Sequence, residues 1–554
     1  MKPALRLLAA GSLLVFIALG WSMIRVSAPT FDEPVHLASG YTALVNGSRL
    51  LNGMNHPPFA EMWAALPLLA LKPAVFFQHP YWLGGRIYNY SDLFLYKNHV
   101  SAERLLDSAR LFSLVTWALV LGAAVLSWSW RLAGLPAAAA AAVLFAFCPP
   151  LFANAALVTT DAASTALFFL TFCLFSLGKR GPAVWVGGGL CMGLALASKF
   201  NMVVLPAFVA VLLLSEWNLD RKQTLSWGWF LVSAGVAAAA LAVICRFSLL
   251  PAYFDGLAAT ILRLDDGRSS FLRGHHFITG HPLYFPVALL IKTPLPLLAA
   301  AAAGVAFWPH WEAGLELRGA LRRAAWVLAP GAAYFLLACF AKTQIGYRHI
   351  LPVYPFLIVA GACGAAVLWR TRWGRALCLG GSLWLVASVG AAYPHYLAYF
   401  NEAAGGPAGG WRWLVDSNLD WGQDLKGLAA EVRRRGNPVV HLSYFGVADP
   451  SYYGLRYVPL FSSSIVERRE GVAQAEGGEP LLLAVSATNL QGNYYADHAM
   501  FDWLKARRPV YRAGESIFLY DLTEDAEGAR RLAAVLERAG DPGAARRILV
   551  RYPP

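Results

Sequence analysis

Two carboxylates, Asp32 and Glu33, stand in Phe31-Asp32-Glu33-Pro34, a few residues after an apolar run at 5–26. A charge beside a lipid bilayer is expensive and tends to be functional, and a carboxylate so placed can take the proton of a hydroxyl. The same residues also read as a solvated loop start with a helix cap. Asp161, in Val158-Thr159-Thr160-Asp161, opens another apolar run. It reads either as a charge favoured by a helix N-terminus or as a second acid facing the hollow of Asp32. Lys199, in Ala197-Ser198-Lys199-Phe200, closes a later run and reads either as a snorkelling lysine or as a cation of that hollow. His56, in His56-Pro57-Pro58-Phe59, suits a structural role, a ligand or an acceptor-binding group.

Cations gather in two further segments. Arg268, Arg273, His275, His276 and His281 crowd 268–281, and Lys342, Tyr347, Arg348 and His349 precede Leu351-Pro352-Val353-Tyr354-Pro355. Arginine forks grip phosphate oxygens in pairs, so a phosphate or diphosphate is one partner for these groups. A divalent metal held by His275, His276 or His281 with Asp32 or Glu33 is another, although the spacing matches no standard metal motif.

These residues need a scaffold, and composition says of what kind. The 554 residues are 57% hydrophobic and 14% charged, with mean hydropathy +0.48; soluble proteins carry about 25% charged residues. Hydropathy predicts about eleven spans, near 5–26, 108–128, 134–152, 157–177, 183–198, 201–216, 226–247, 284–306, 324–341, 350–369 and 376–394. The first is expected to be an uncleaved anchor, since it exceeds the roughly 7–15 residues of a signal-peptide core.

The net charge of +13 sits mostly in short loops. With the N-terminus inside, Arg131, Lys179, Arg180, Arg221, Lys222, Arg318, Arg322, Arg323, Arg370, Arg372 and Arg375 all fall inside, as the positive-inside rule requires. That leaves two long outer loops, about 27–105 and 248–283, and places the chain after the last span outside. Arg246, Arg263, Arg268 and Arg273 run against the rule, which suggests an anionic partner. Lipid contact accounts for the remaining basicity, and no basic, aromatic-interleaved module for nucleic acid is present. The seven cysteines lie in or beside apolar runs without CxxC spacing, so neither a disulfide framework nor a thiolate zinc site is expected.

The remainder has ordinary soluble composition. Segments 438–446, 479–487 and 515–522 read as strands, and 423–436 and 499–507 as helices. A helical hairpin ends the chain, turning at Gly540-Asp541-Pro542. The expected organisation is a polytopic α-helical membrane part at 1–395, an extracytoplasmic small α/β domain at 396–522 and a helical hairpin at 523–554. The stretch 398–425 reads as a joint between the two larger parts, or as an acceptor site built from Asp416, Asp420 and Asp424.

Together, Asp32-Glu33 after the first span, HPPF, an acid opening the fourth span, ASKF and YRHILPVYPF resemble the GT-C superfamily over roughly residues 1–395. More narrowly, they resemble the bacterial relatives of protein O-mannosyltransferases and lipid A aminoarabinose transferases. The resemblance implies a multi-pass inner-membrane glycosyltransferase with its active site on the extracytoplasmic face. It would take a sugar from a polyprenyl-phosphate donor, with inversion, and pass it to a protein, glycolipid or glycan. In that pattern Asp32 is the base, Glu33 its neighbour, Asp161 the second acid and Arg348 the phosphate ligand. Lys342, Arg268, Arg273 and Lys199 are further phosphate candidates, and His56, Tyr347 and His276 candidates for substrate contact. No nucleotide-binding fingerprint is present or needed, and a divalent metal is the one cofactor candidate. Two other classes remain: a flippase of lipid-linked sugars, which would carry charges at mid-span and internal repeats, and a non-catalytic envelope assembly protein.

Overall fold

The computed structural model describes residues 3–47, 49–177, 181–219, 227–312, 314–460, 466, 473 and 478–553. The inner-loop cations Lys179, Arg180, Arg221 and Lys222 lie outside the described residues.

The described residues up to 390 are largely helical and apolar, in keeping with a polytopic membrane protein. Helix Pro3–Val26 packs along Ala102–Ala146. The latter is not one rod. Ala133 and Gly134 leave helical geometry, Gly134 with φ +72°, and Pro136 follows in the first turn of the second arm. The arms fold back so that Gly122 adjoins the Phe145 ring, residues that a continuous helix would hold about 35 Å apart. Phe145 then stacks on Phe16 at 4.5 Å.

The predicted span 284–306 differs from expectation. It is two helices, Tyr284–Lys292 and Leu295–Ala306, bent by 112° across Thr293-Pro294, because proline cannot continue a helix and holds the preceding residue extended. Such breaks divide several apolar runs. Among the described residues, three helices are long and apolar enough to cross a membrane, or up to four if the bent pair is one span, and four shorter apolar helices accompany them. Helix Tyr354–Leu368 lies at the centre of the bundle. It meets Leu295–Ala306 at Gly304, where a side chain would collide with the Ala360 carbonyl; small residues permit this close approach of backbones.

A short hairpin pairs β1 (Ser270–Leu272) with β2 (His275–Phe277). Further on, β3 (Val440–Ser443), β4 (Tyr457–Pro459), β5 (Leu482–Ser486), β6 (Tyr511–Ala513) and β7 (Ile517–Asp521) form a mixed sheet in the order β4-β3-β5-β7-β6. β3 is parallel to β4 and β5, while β7 is antiparallel to β5 and β6. β5 is buried along its whole length, as expected of a strand covered on both faces. Helix Leu425–Arg434 packs on β6 and β7, and Ala526–Arg538 pairs with Pro542–Arg551. The predicted helix at 499–507 is instead loop with one 3-10 turn, Asp502–Leu504.

Two buried carboxylates fix the joints. Glu33 is fully buried, and its oxygens accept five hydrogen bonds: from Arg110 Nε (2.8 Å) and Nη2 (2.5 Å), Thr30 N and Oγ1 (each 2.9 Å) and Val158 N (3.0 Å). Burial alone would raise its pKa, but the Arg110 charge and these bonds hold it below the usual carboxylate range. Arg110 also donates to the Ser27 and Ala28 carbonyls. One ion pair thereby ties three segments at the place where Asp32 and Asp161 begin their helices. Asp420, also fully buried, accepts from Thr488 N at 2.8 Å through Oδ2, while Oδ1 has no hydrogen-bond partner among the described residues. Burial, with the charges of Asp424 and Asp416 adding to it, pushes its pKa up to about 8 against the opposing Thr488 bonds.

Removing either partner of the Glu33–Arg110 pair leaves a bare buried charge. Arg110→Met is expected to cost about 3–5 kcal/mol, read as a lowered melting temperature of the purified full chain in detergent. Asp420 gives a pH dependence. The unfolded chain releases this proton near 3.8 and the folded chain near 8. The unfolded state therefore gains as pH rises between those values, and no further above them. Asp420→Asn keeps the acceptor for Thr488, so its melting temperature should rise relative to the parent as pH goes from about 5 to about 8. An unchanged difference across that range counts against this protonation.

Candidate active site

Asp32 precedes helix Glu33–Val45 at its N-cap, but its side chain makes no capping bond. The strand-like segment before it is docked by Ala28 N on the Gln423 carbonyl (2.7 Å) and Phe31 N on the Trp421 carbonyl (2.9 Å). Its carboxylate turns to Arg348, whose Nη1 lies 3.0 Å from Asp32 Oδ2.

Asp161 is the first residue of helix Asp161–Phe175. Its Oδ1 accepts from Lys199 Nζ at 2.5 Å, and its Oδ2 lies 3.7 Å from the same Arg348 Nη1. Lys199 sits in extended conformation where helix Pro182–Leu196 gives way to a 3-10 turn at Phe200–Val204. The four side chains make one chain of alternating charge, Asp32–Arg348–Asp161–Lys199, and their exposures are 25%, 11%, 1% and 13%. Asp161 thus holds two cations while occupying the first turn of its helix.

Arg348 is fixed on three sides. It lies in the 3-10 helix Tyr347–Val353, and Tyr347 N donates to Asn418 Oδ1 at 2.8 Å. The Tyr347 hydroxyl accepts from Asn154 at 2.9 Å. The Arg348 guanidinium lies 4.1 Å from the centre of the Trp421 ring, a contact in which the π face supplies negative potential. Arg348 Nε, Asp161 Oδ2, His56 Nδ1 and Thr159 Oγ1 are buried without a hydrogen-bond partner among the described residues. Such orphans are rare in folded proteins, and a missing ligand or ion is one of the standard explanations.

Arg268 is exposed, yet its charge acts on Tyr88, His349, Asp416 and Tyr494. It adds positive potential around a cluster otherwise balanced at two acids and two cations. The phenol of Tyr88, raised to about 12 by burial and then by Asp32, stays protonated as a donor.

Other expected residues lie differently. Glu33 faces Arg110 rather than a hollow, with both oxygens committed, which corrects the expectation that it shares in the chemistry. The Tyr347 hydroxyl is engaged by Asn154, and its ring lies under Lys292 at 4.7 Å. Arg273 is exposed over the Trp413 ring at 4.9 Å. His276 stacks on His498 at 3.8 Å, His275 is exposed, and His281 donates its backbone N–H to Gln344. Among the described residues no three His, Cys, Asp or Glu side chains come close enough to hold a metal ion, so the three histidines do not form the centre considered for them. Lys342 is partly buried on the loop that packs against Gly280.

Four residues near the site went unread. Trp421 carries no local signal. Arg110 had one, a lone charge opening an apolar run. Lys292 had another: it is buried between the Leu397 and Asn418 carbonyls (2.9 and 2.5 Å) and the Tyr347 and Phe400 rings. His36 stands one helical turn after Asp32 and bonds Glu61. An open cavity of about 510 Å³ lies beside the site's first loop, lined by Arg49, Met54, Asn55, Ile87, Leu249 and Ala252 among others. The charged cluster is not part of its lining.

No family model matches this sequence, and no curated protein matches it. Among solved structures, the chain is similar to ArnT from Cupriavidus metallidurans bound to undecaprenyl phosphate, at 13% identity over 93% of this chain and 97% of that one, with a TM-score of 0.47. It is also similar to the archaeal oligosaccharyltransferase AglB from Archaeoglobus fulgidus in complex with an inhibitory peptide and a dolichol-phosphate, at 12% identity over 68% of this chain and 56% of that one, with a TM-score of 0.43.

Proposed function

We propose that the protein is a membrane glycosyltransferase that moves a sugar from a polyprenyl-phosphate donor to an acceptor hydroxyl on the extracytoplasmic face of the inner membrane. The observation that carries this reading is the continuous chain Asp32–Arg348–Asp161–Lys199, edged by buried polar atoms without partners. It offers one partly exposed carboxylate next to preorganised cations, which is what the reaction requires.

An acceptor hydroxyl is a weak nucleophile until a base removes its proton. Asp32, the more exposed of the two site acids, is that base. The bond that breaks leaves electrons on a lipid phosphate, and fixed cations in a water-poor site stabilise that growing charge. Arg348 and Lys199 are the cations, Arg268 adds field at the edge, and Asp161 aims the two. One base opposite one leaving group gives inversion at the anomeric carbon. His56, with a buried nitrogen unpartnered among the described residues, faces the substrate. Lys342, Arg273, Tyr347 and His276 fall to supporting places around this centre. Membrane lipid surrounds the helical part, 1–395, while 396–522 and the hairpin 523–554 lie outside. The acceptor is a protein, a glycolipid or a glycan.

The test is transfer of labelled sugar from undecaprenyl-phosphate-linked hexoses and pentoses by the purified full chain in lipid nanodiscs. Asp32→Asn is expected to lower the rate by at least about 10²-fold with little change in melting temperature. Arg348→Gln is expected to lower it by about 10²–10³-fold. Full transfer by Asp32→Asn would remove the base, and movement of the intact donor across the bilayer without transfer would instead favour a flippase.

A further inference from the structure

The mechanism above leaves the proton on Asp32, a group flanked by Arg348 and the start of a buried helix, and it leaves unused an acid–imidazole pair one turn away. His36 N–H donates to the Asp32 carbonyl at 3.1 Å, so the two side chains stand on one helix face, where residues four apart are neighbours. His36 Nδ1 lies 2.8 Å from Glu61 Oε1, and the same oxygen accepts from Asn52 Nδ2 at 2.7 Å. An oxygen that already accepts from Asn52 fixes the proton on His36 Nδ1, which leaves Nε2 as the basic nitrogen. Both members of the pair are buried, at 2% and 4% exposure. Gly40 makes the pairing possible: a side chain there would collide with the Glu61 carbonyl and push helix Phe59–Ala65 away from helix Glu33–Val45.

Four groups act on this imidazole. Glu61 of helix Phe59–Ala65 bonds it, the charges of Asp32 at its own helix start and of Asp161 at the start of helix Asp161–Phe175 reach it, and the ring of His56 lies 5.0 Å away. His56 in turn feels the charges of Lys199 and Arg348. The histidine therefore stands between the acids of the candidate site and a carboxylate outside it.

We propose that His36, oriented by Glu61, receives the proton that Asp32 takes from the acceptor. The inference rests on the glycosyltransferase reading. In the transfer step the acceptor oxygen bonds the anomeric carbon as its O–H bond breaks toward Asp32. The bond from the anomeric carbon to the phosphate oxygen breaks, and its electron pair leaves on the phosphate. The proton then passes from the Asp32 carboxyl to His36 Nε2, which regenerates the base, and the imidazolium, paired with Glu61, releases it to water. His36 is a positioning and relay residue acting through Asp32, and Glu61 positions it.

Burial lowers the pKa of His36, but the Glu61 bond and charge, with Asp32 and Asp161, outweigh it and hold the imidazole above its ordinary 6.5. A relay must be neutral to accept, so transfer should rise with pH through the His36 midpoint. Two readouts on the full chain in nanodiscs test this. One is deuterium exchange at the His36 ring C2 position against pH, by mass spectrometry. The other is the pH profile of sugar transfer from the undecaprenyl-phosphate-linked hexoses and pentoses. In the parent both midpoints should coincide above 6.5. In Glu61→Gln, which keeps an acceptor for Asn52, both should move to lower pH. In His36→Gln that limb should vanish and the plateau fall by on the order of 10²-fold. A ring midpoint that moves in Glu61→Gln while the rate profile stays put overturns the relay and leaves the glycosyltransferase intact. A ring midpoint below 6.5, or one insensitive to Glu61, overturns the pair itself. Absence of transfer from every donor by the parent overturns the glycosyltransferase reading and the relay with it.

Discussion

Ionised side chains near lipid persist only where an opposite charge or a dense set of donors replaces water, and this constraint organises the first half of the chain. At a protein surface two charges 4 Å apart interact by about 4 kcal/mol, against about 1 kcal/mol in bulk water. Glu33 and Arg110 meet the constraint completely, with every oxygen of the acid engaged and the arginine also bridging two carbonyls. Their closure is what allows the preceding residue, Asp32, to be left half-open. One member of the Asp32-Glu33 dipeptide holds the fold while its neighbour remains available for chemistry, and the turn of the helix start assigns these opposite tasks.

The same logic extends to the cluster beyond. Asp161 is buried, and its cost is met by Lys199 and Arg348 together, so both cations are largely desolvated and held in place. Trp421 closes Arg348 from the other side, and the backbone bonds of Trp421 and Gln423 to Phe31 and Ala28 clamp the approach to Asp32. The segment 398–425 therefore forms a wall beside the charged cluster. Its own acids, Asp416, Asp420 and Asp424, are engaged by Tyr494, Thr488 and Ser516, which favours the joint over an acceptor-binding role for them.

Much of this arrangement was legible in the residues. Asp32, Asp161, Lys199 and Arg348 were each visible as charges at the ends of apolar runs, where solvation cost makes a charge conspicuous. Strands β3, β5 and β7 lie inside the three runs of apolar residues at 438–446, 479–487 and 515–522. What stayed hidden depends on contacts between distant segments. Nothing local marks Trp421 as a partner of Arg348, or Glu61 as a partner of His36. The separate tasks of Asp32 and Glu33 are likewise decided by Arg110, 77 residues away. The bend at Thr293-Pro294 was signalled by the proline, but hydropathy averages over such a break, and β4 and β6, at three residues each, are too short to show a period.

The claim on which all of this turns is that the acids and cations converge on one site for a lipid phosphate headgroup. Comparing the affinity of the full chain in nanodiscs for undecaprenyl phosphate and for undecaprenol tests it directly, because the two differ only in the charged group. The alcohol is expected to bind at least about 10²-fold more weakly, as two lost charge-assisted hydrogen bonds of roughly 1.5–3 kcal/mol each imply. Equal affinity for the two would show that the chain, if anything, recognises the hydrocarbon tail, and would contradict the account.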